Sequence, residues 1–101
     1  MERLNGLFKA LGEPNRFNIF HQLCGRQSAN VKEVASCCNV DLSVVSRHLK
    51  GLKEAGVLDA RKEGKEVIYS LRGRETAALL RELADQIDRC CNDDLNKQEV
   101  P

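Results

Sequence analysis

The sequence predicts a mainly α domain with a β-hairpin wing, built from five helices, and three observations lead there. Apolar residues recur at i, i+3, i+4 and i+7 in several separate stretches, which is the period of helices with one buried face. A basic stretch, VLDARKEGKEVIYSL, alternates its residues on either side of Glu63-Gly64, which is the pattern of two strands and a tight turn. Two short helical segments joined at Asn39-Val40 come directly before that stretch. Their order defines a winged helix-turn-helix, and 101 residues suffice for one such core and no second one.

Leu4, Leu7, Phe8 and Leu11 give residues 2–11 one apolar stripe, and Gly12 ends that helix. Pro14 suits the first turn of a second helix, in which Phe17, Phe20, Leu23 and Cys24 share a face and which Gly25 stops. VKEVASCC, residues 31–38, forms a short third helix with Val31, Val34, Ala35 and Cys38 inward. Asp41 is the expected N-cap of the fourth, LSVVSRHLKGLKEA, whose Val45, Leu49 and Leu52 point to the core and which Gly56 ends. A fifth helix over about 75–91 carries Leu80, Leu83, Ala84, Ile87 and Cys91 on one stripe. The division expected is a domain over 1–92 and a polar tail over 93–101.

The net charge of +1 says nothing for nucleic acid, but its distribution does. Residues 44–74 carry a net +4, and residues 75–101 a net −4. The middle of the chain is therefore a candidate anion-binding face. On the fourth helix Ser43, Ser46, Arg47 and Lys50 lie off the apolar stripe, in position to meet base edges or phosphate in a major groove. Arg61, Lys62 and Lys65 at the tip of the hairpin can add salt-dependent contacts to the backbone or minor groove.

SVVSRHLKGLKEAGVLDARKEGKEVIYSL, preceded by LGEPNRFNIFHQL, closely resembles the arsenical-resistance repressor (ArsR/SmtB) family of bacterial transcription regulators. The resemblance runs from about residue 3 to 91. It implies a homodimer joined through the first and last helices, and binding of double-stranded operator DNA that an inducer, commonly a thiophilic metal or metalloid, switches off. It also implies a Ser-x-His pair on the recognition helix, Ser46 and His48 here. Two roles are open for His48, a phosphate contact and packing.

Five cysteines, an odd number with two adjacent pairs, fit metal binding or redox chemistry better than a disulfide framework in the reducing cytoplasm expected for this chain. The family's third-helix cysteine site would fall at Asn30 and Lys32, so it is missing. Its last-helix zinc site needs histidine, and residues 75–101 have none. Thiolates select soft acceptors, and arsenic(III) or antimony(III) suits crowded cysteines. Cys90 and Cys91 resemble the C-terminal vicinal pair of one arsenite-responsive branch, but the third cysteine of that branch is absent from NDDLNKQEVP. Cys24 is the expected third ligand, because some relatives pair a second-helix with a last-helix cysteine to sense sulfur species. That pairing is also the alternative reading, a thiol-redox or persulfide-responsive repressor.

Each thiol also has a plainer reading. Cys38 stands where relatives bury Leu or Ile, and Cys37 is either a ligand or a surface thiol. Cys91 could simply extend the interface stripe, but neighbouring helical residues point about 100° apart, so Cys90 would not follow it. His21 with Cys24 at i, i+3 makes half a zinc site, although apolar neighbours favour packing. No constitutive cofactor is expected. Neither His21 nor His48 has an evident orienting partner and no glycine-rich phosphate loop is present, so an enzyme is not expected. No stretch approaches the ~18 apolar residues of a membrane span.

Overall fold

The computed structural model describes residues 2–98, in side-chain detail except at Cys38 and 92–98. Eight elements follow one another: α1 (Glu2–Leu11), α2 (Pro14–Cys24), β1 (Ser28–Asn30), α3 (Val31–Cys38), α4 (Leu42–Glu54), β2 (Leu58–Glu63), β3 (Glu66–Leu71) and α5 (Gly73–Gln98). These are the five predicted helices and the predicted hairpin, with one additional strand. No described helix is long and apolar enough to cross a membrane.

The core is laid down by the helical periods. Val45, Leu49 and Leu52 of α4 are fully buried, as their spacing requires, and each such burial is worth about 1.5–3 kcal/mol. Leu4, Leu7 and Ala10 of α1, Ile19 and Leu23 of α2 and Val34 of α3 close around them. On α2 the buried face differs from the predicted one. Ile19 and Leu23, four residues apart, turn inward, so Phe17 and Cys24 are exposed and Phe20 is only partly covered. Phe17 lies instead against the rings of Phe20 and His21, at centroid distances of 6.5 and 6.2 Å. The predicted inward side chain of Cys38 lies outside the described residues.

The sheet is antiparallel in the order β1-β3-β2. Glu63 pairs with Glu66 across a two-residue turn in which Gly64 takes a φ of 63°, a conformation a side chain would resist. Tyr69 of β3 is flanked by Ala29 of β1 and Ala60 of β2, and its buried ring ties the wing to the helical core. Strand β1, with three residues, is too short to show a period in the sequence.

Helix α5 starts two residues earlier than expected and continues to Gln98, because NDDLNKQ contains neither glycine nor proline to stop it. The expected boundary between 92 and 93 thus falls inside a helix. Among its described side chains, those at the beginning are packed: Thr76 is buried, Leu79 and Leu83 lean on the core, and α1 lies alongside. Beyond that the helix projects, and the molecule measures 61 × 23 × 22 Å.

Candidate nucleic-acid interface

The path from α3 to α4 is set by the backbone. Asn30 caps α3 with its side chain, accepting from the Glu33 N–H at 2.8 Å, and Glu33 returns a carboxylate to the Asn30 N–H at 2.8 Å. This reciprocal box fixes the first turn of α3. At the other end Asn39 adopts the left-handed conformation (φ 55°, ψ 47°), donates its N–H to Ala35 at 2.9 Å and reverses the chain. Asp41 then precedes α4 as expected, but its side chain makes no capping hydrogen bond; its carbonyl accepts from Val45 instead. Gly56, at φ 82°, ends that helix as predicted.

With Val45, Leu49 and Leu52 facing inward, α4 turns Ser43, Arg47 and Lys50 to solvent, with Ser46 and His48 half-buried at the margins. Two open grooves flank this face. One, between α2 and α4, is lined by Arg16, Ser43, Arg47, His48 and Lys50. The other, between α4, the start of α3 and the wing, is lined by Lys32, Ser46, Lys50, Lys65 and Val67. Lys50 and Ser46 border both. Arg16 and Lys32 are additions that sequence reasoning missed, because the grooves are made by segments distant in the chain.

The wing separates its cations. Lys62 pairs with Val67 and Ala60 with Tyr69, so alternation puts Lys62 on the sheet face that carries Tyr69. Arg61, opposite Ile68, lies on the other face, where its Nε donates to Glu63 at 2.8 Å. Among the described residues Lys62 and Lys65 have no such carboxylate partner. Asn30 is also tied to the wing, donating from Nδ2 to Glu66 at 3.1 Å.

His48 points back into the protein. Its Nε2 lies 3.5 Å from a carboxylate oxygen of Glu13, and its side chain is 14% exposed. Glu13 is itself the N-cap of α2, accepting from the Arg16 N–H at 3.0 Å. Burial would raise this carboxyl, but the N–H groups of Arg16 and Asn15 and the charges of His48 and Arg16 outweigh it, and Glu13 ionises below its ordinary 4.5. This contact joins α4 to the start of α2, while His48 also lines the open groove between them.

The thiols are more scattered. Cys24, Cys37, Cys90 and Cys91 are all exposed. Arg26 Nη1 donates to Cys37 Sγ at 3.5 Å while its Nη2 pairs with Glu33 at 3.3 Å. His21 and Cys37 line a small groove between α2 and α3 that does not include Cys24. Among the described residues, no three His, Cys, Asp or Glu side chains stand together as a metal-ligand set within one chain.

A helix-turn-helix with a polar, basic second helix and a three-stranded wing beside it defines a winged helix-turn-helix protein. Residues 11–61 match a helix-turn-helix domain family. The sequence is 35% identical over 69 residues, 68% of this chain and 58% of the relative, to the cadmium resistance transcriptional regulatory protein CadC of Listeria innocua. It is 38% identical over 74 residues to the transcriptional repressor SmtB of Mycobacterium tuberculosis, covering 73% of this chain and 54% of that protein. The matched region thus spans little more than half the length of these relatives. The homodimeric winged helix-turn-helix DNA-binding domain of a possible ArsR-family regulator from Mycobacterium bovis matches with a TM-score of 0.68 at 28% identity, over 84% of this chain and 81% of that one. The chain belongs to the ArsR/SmtB family of winged helix-turn-helix transcriptional regulators.

Proposed function

We propose that the chain is a metalloid-responsive transcriptional repressor that binds operator DNA as a homodimer and releases it when arsenic(III) or antimony(III) binds cysteine thiolates. The observation that carries the DNA-binding half is the exposed face of α4, with Ser43, Arg47 and Lys50 outward between two cation-lined grooves. Such a face offers hydrogen-bonding side chains to base edges and cations to the phosphates on either side. A dimer is supported by the apolar side chains that α1 and α5 leave uncovered, namely Phe8 (49% exposed), Leu80 (37%) and Ile87 (51%), and by the homodimeric relative.

The inducer reading rests on Cys90 and Cys91 with Cys24, all three reachable from solvent. Two adjacent sulfurs at the end of a long helix can chelate a soft ion. Cys24, from the same copy or the second, completes the site as the third thiolate. Cys37 is the alternative ligand. The cadmium-resistance relative supports a soft metal or metalloid as the class of inducer.

The test is a gel shift with the DNA upstream of the chain's own gene, followed by titration of the complex with arsenite, antimonite, cadmium, zinc and a polysulfide in parallel. Release by arsenite and antimonite at concentrations where zinc and polysulfide do nothing is the expected result. Release by polysulfide alone would replace the metalloid reading with thiol-redox sensing through Cys24 and Cys90 or Cys91. Failure to bind any duplex would remove the repressor reading altogether.

A further inference from the structure

We propose that Arg16, which lies on α2 and outside the helix-turn-helix, holds a backbone phosphate of the DNA duplex in the groove between α2 and α4, together with Arg47 and Lys50. This deepens the reading of α4 as the DNA-facing helix and rests on it. The groove draws cations from two elements, Arg16 from α2 and Arg47 and Lys50 from α4, and one carboxylate, that of Glu54, lines it with them. Glu13, the nearby acid at the start of α2, is already engaged with the Arg16 backbone N–H and with His48.

Arg16 is seated against α4 beside Gly51. A methyl group at Gly51, inside α4, would stand 3.6 Å from Arg16 Nη1 and 4.0 Å from its Cδ, ordinary van der Waals distances, so the arginine side chain runs alongside that turn of α4. The seat does not serve an internal hydrogen bond. Arg16 Nε is buried with no partner, and among the described residues no carboxylate forms an ion pair with the guanidinium.

An arginine laid against a helix at the edge of a groove, with Nε unbonded and only the more distant charge of Glu13 acting on it, is placed to take an external anion. Its planar fork of donors fits phosphate oxygens, and a side chain already ordered loses less entropy on binding. The placement also fits the duplex. With α4 in a major groove about 12 Å wide, the two bounding strands run along its two flanks. Arg16 lies on one flank, and Lys32 and Lys65 on the other.

The experiment uses the full chain and a fluorescent duplex of random sequence, titrated at several KCl concentrations. Arg16→Gln should lower the slope of log K against log[salt] by about 0.9 per subunit, while melting temperature and oligomeric state stay as in the wild type. Arg16→Lys, which keeps the charge, should restore the slope. An unchanged slope for Arg16→Gln, or weaker binding without a change of slope, would overturn the assignment. Should Arg16→Gln fail to fold, the wild-type side chain supplies the answer. Its Nε–H resonance should shift on addition of the duplex, and an unmoved signal would overturn the proposal equally. A wild-type chain that binds no duplex would instead remove the DNA-binding reading itself.

Discussion

The middle of the molecule and its last helix are built on opposite plans. From α3 to β3 the main apolar periods find partners within the chain, although Leu42 and Val67 stay exposed: α4 is buried on Val45, Leu49 and Leu52, and the wing is anchored by Tyr69 between Ala29 and Ala60. Among the described side chains of α5 only Thr76 is fully covered, while Leu80 and Ile87 face outward and Cys90 and Cys91 are exposed beyond them. One region is packed within a single chain, and the other leaves apolar side chains uncovered. In the proposed function this separates the tasks: the finished region reads DNA, and the unfinished one joins two readers and carries the switch.

The largest effect should come from breaking the unfinished region. Leu80→Asp with Ile87→Asp puts two charges where two apolar side chains are expected to be buried, each worth about 1.5–3 kcal/mol. Sedimentation should show a monomer at concentrations on the order of 100-fold above those at which the wild type dissociates, with DNA binding lost and the helical spectrum of the rest retained. Unaltered dimers would move the interface elsewhere.

Within the finished region the expected effects are smaller. Arg47→Ala should cost about 1–3 kcal/mol of operator binding and relax sequence preference. Lys62→Ala, on the wing, should weaken all duplexes alike and lower the salt slope by about 0.9 per subunit. Competition with random-sequence DNA distinguishes the two. The smallest effect is at Glu13. Because its folded carboxyl ionises below 4.5, its stabilisation is present above that pH and is lost as the pH falls through the depressed value. Glu13→Gln should therefore melt lower than wild type near neutrality and approach it in acid. A constant gap across that range would count against the pairing with His48.

What the sequence made legible follows the strength of local signals. The stripe of α4 and the left-handed Gly56 are each determined by residues within a few positions and stand as read, while the hairpin turn, read at Glu63-Gly64, falls one residue later at Gly64-Lys65. The capping box at the start of α3 was also legible, since Asn30 and Glu33 carry its Asn-x-x-Glu spacing. The inward face of α2 was not: Phe17 and Cys24 are as apolar as Ile19, and only the packing of α3 and α4 against the helix decides which side turns in. The grooves were illegible for the same reason, as Arg16 and Lys32 gain their neighbours from α4 and the wing. The thiols lie at the limit of this kind of reading. Their spacing suggests a chelate, but among the described residues no complete set of ligands stands together in one chain.

The account turns on whether those thiols govern the DNA-binding face. The direct measurement is fluorescence anisotropy of a labelled operator duplex bound to wild type and to the Cys90→Ser/Cys91→Ser variant, each titrated with arsenite. Both proteins should bind the duplex equally without arsenite. With it, the wild type should lose affinity by roughly 5- to 150-fold, the usual range of ~1–3 kcal/mol for coupled sites, while the variant keeps its DNA. Release of the duplex by the variant at the wild-type arsenite concentration would contradict the account and leave Cys37 as the next thiol to examine.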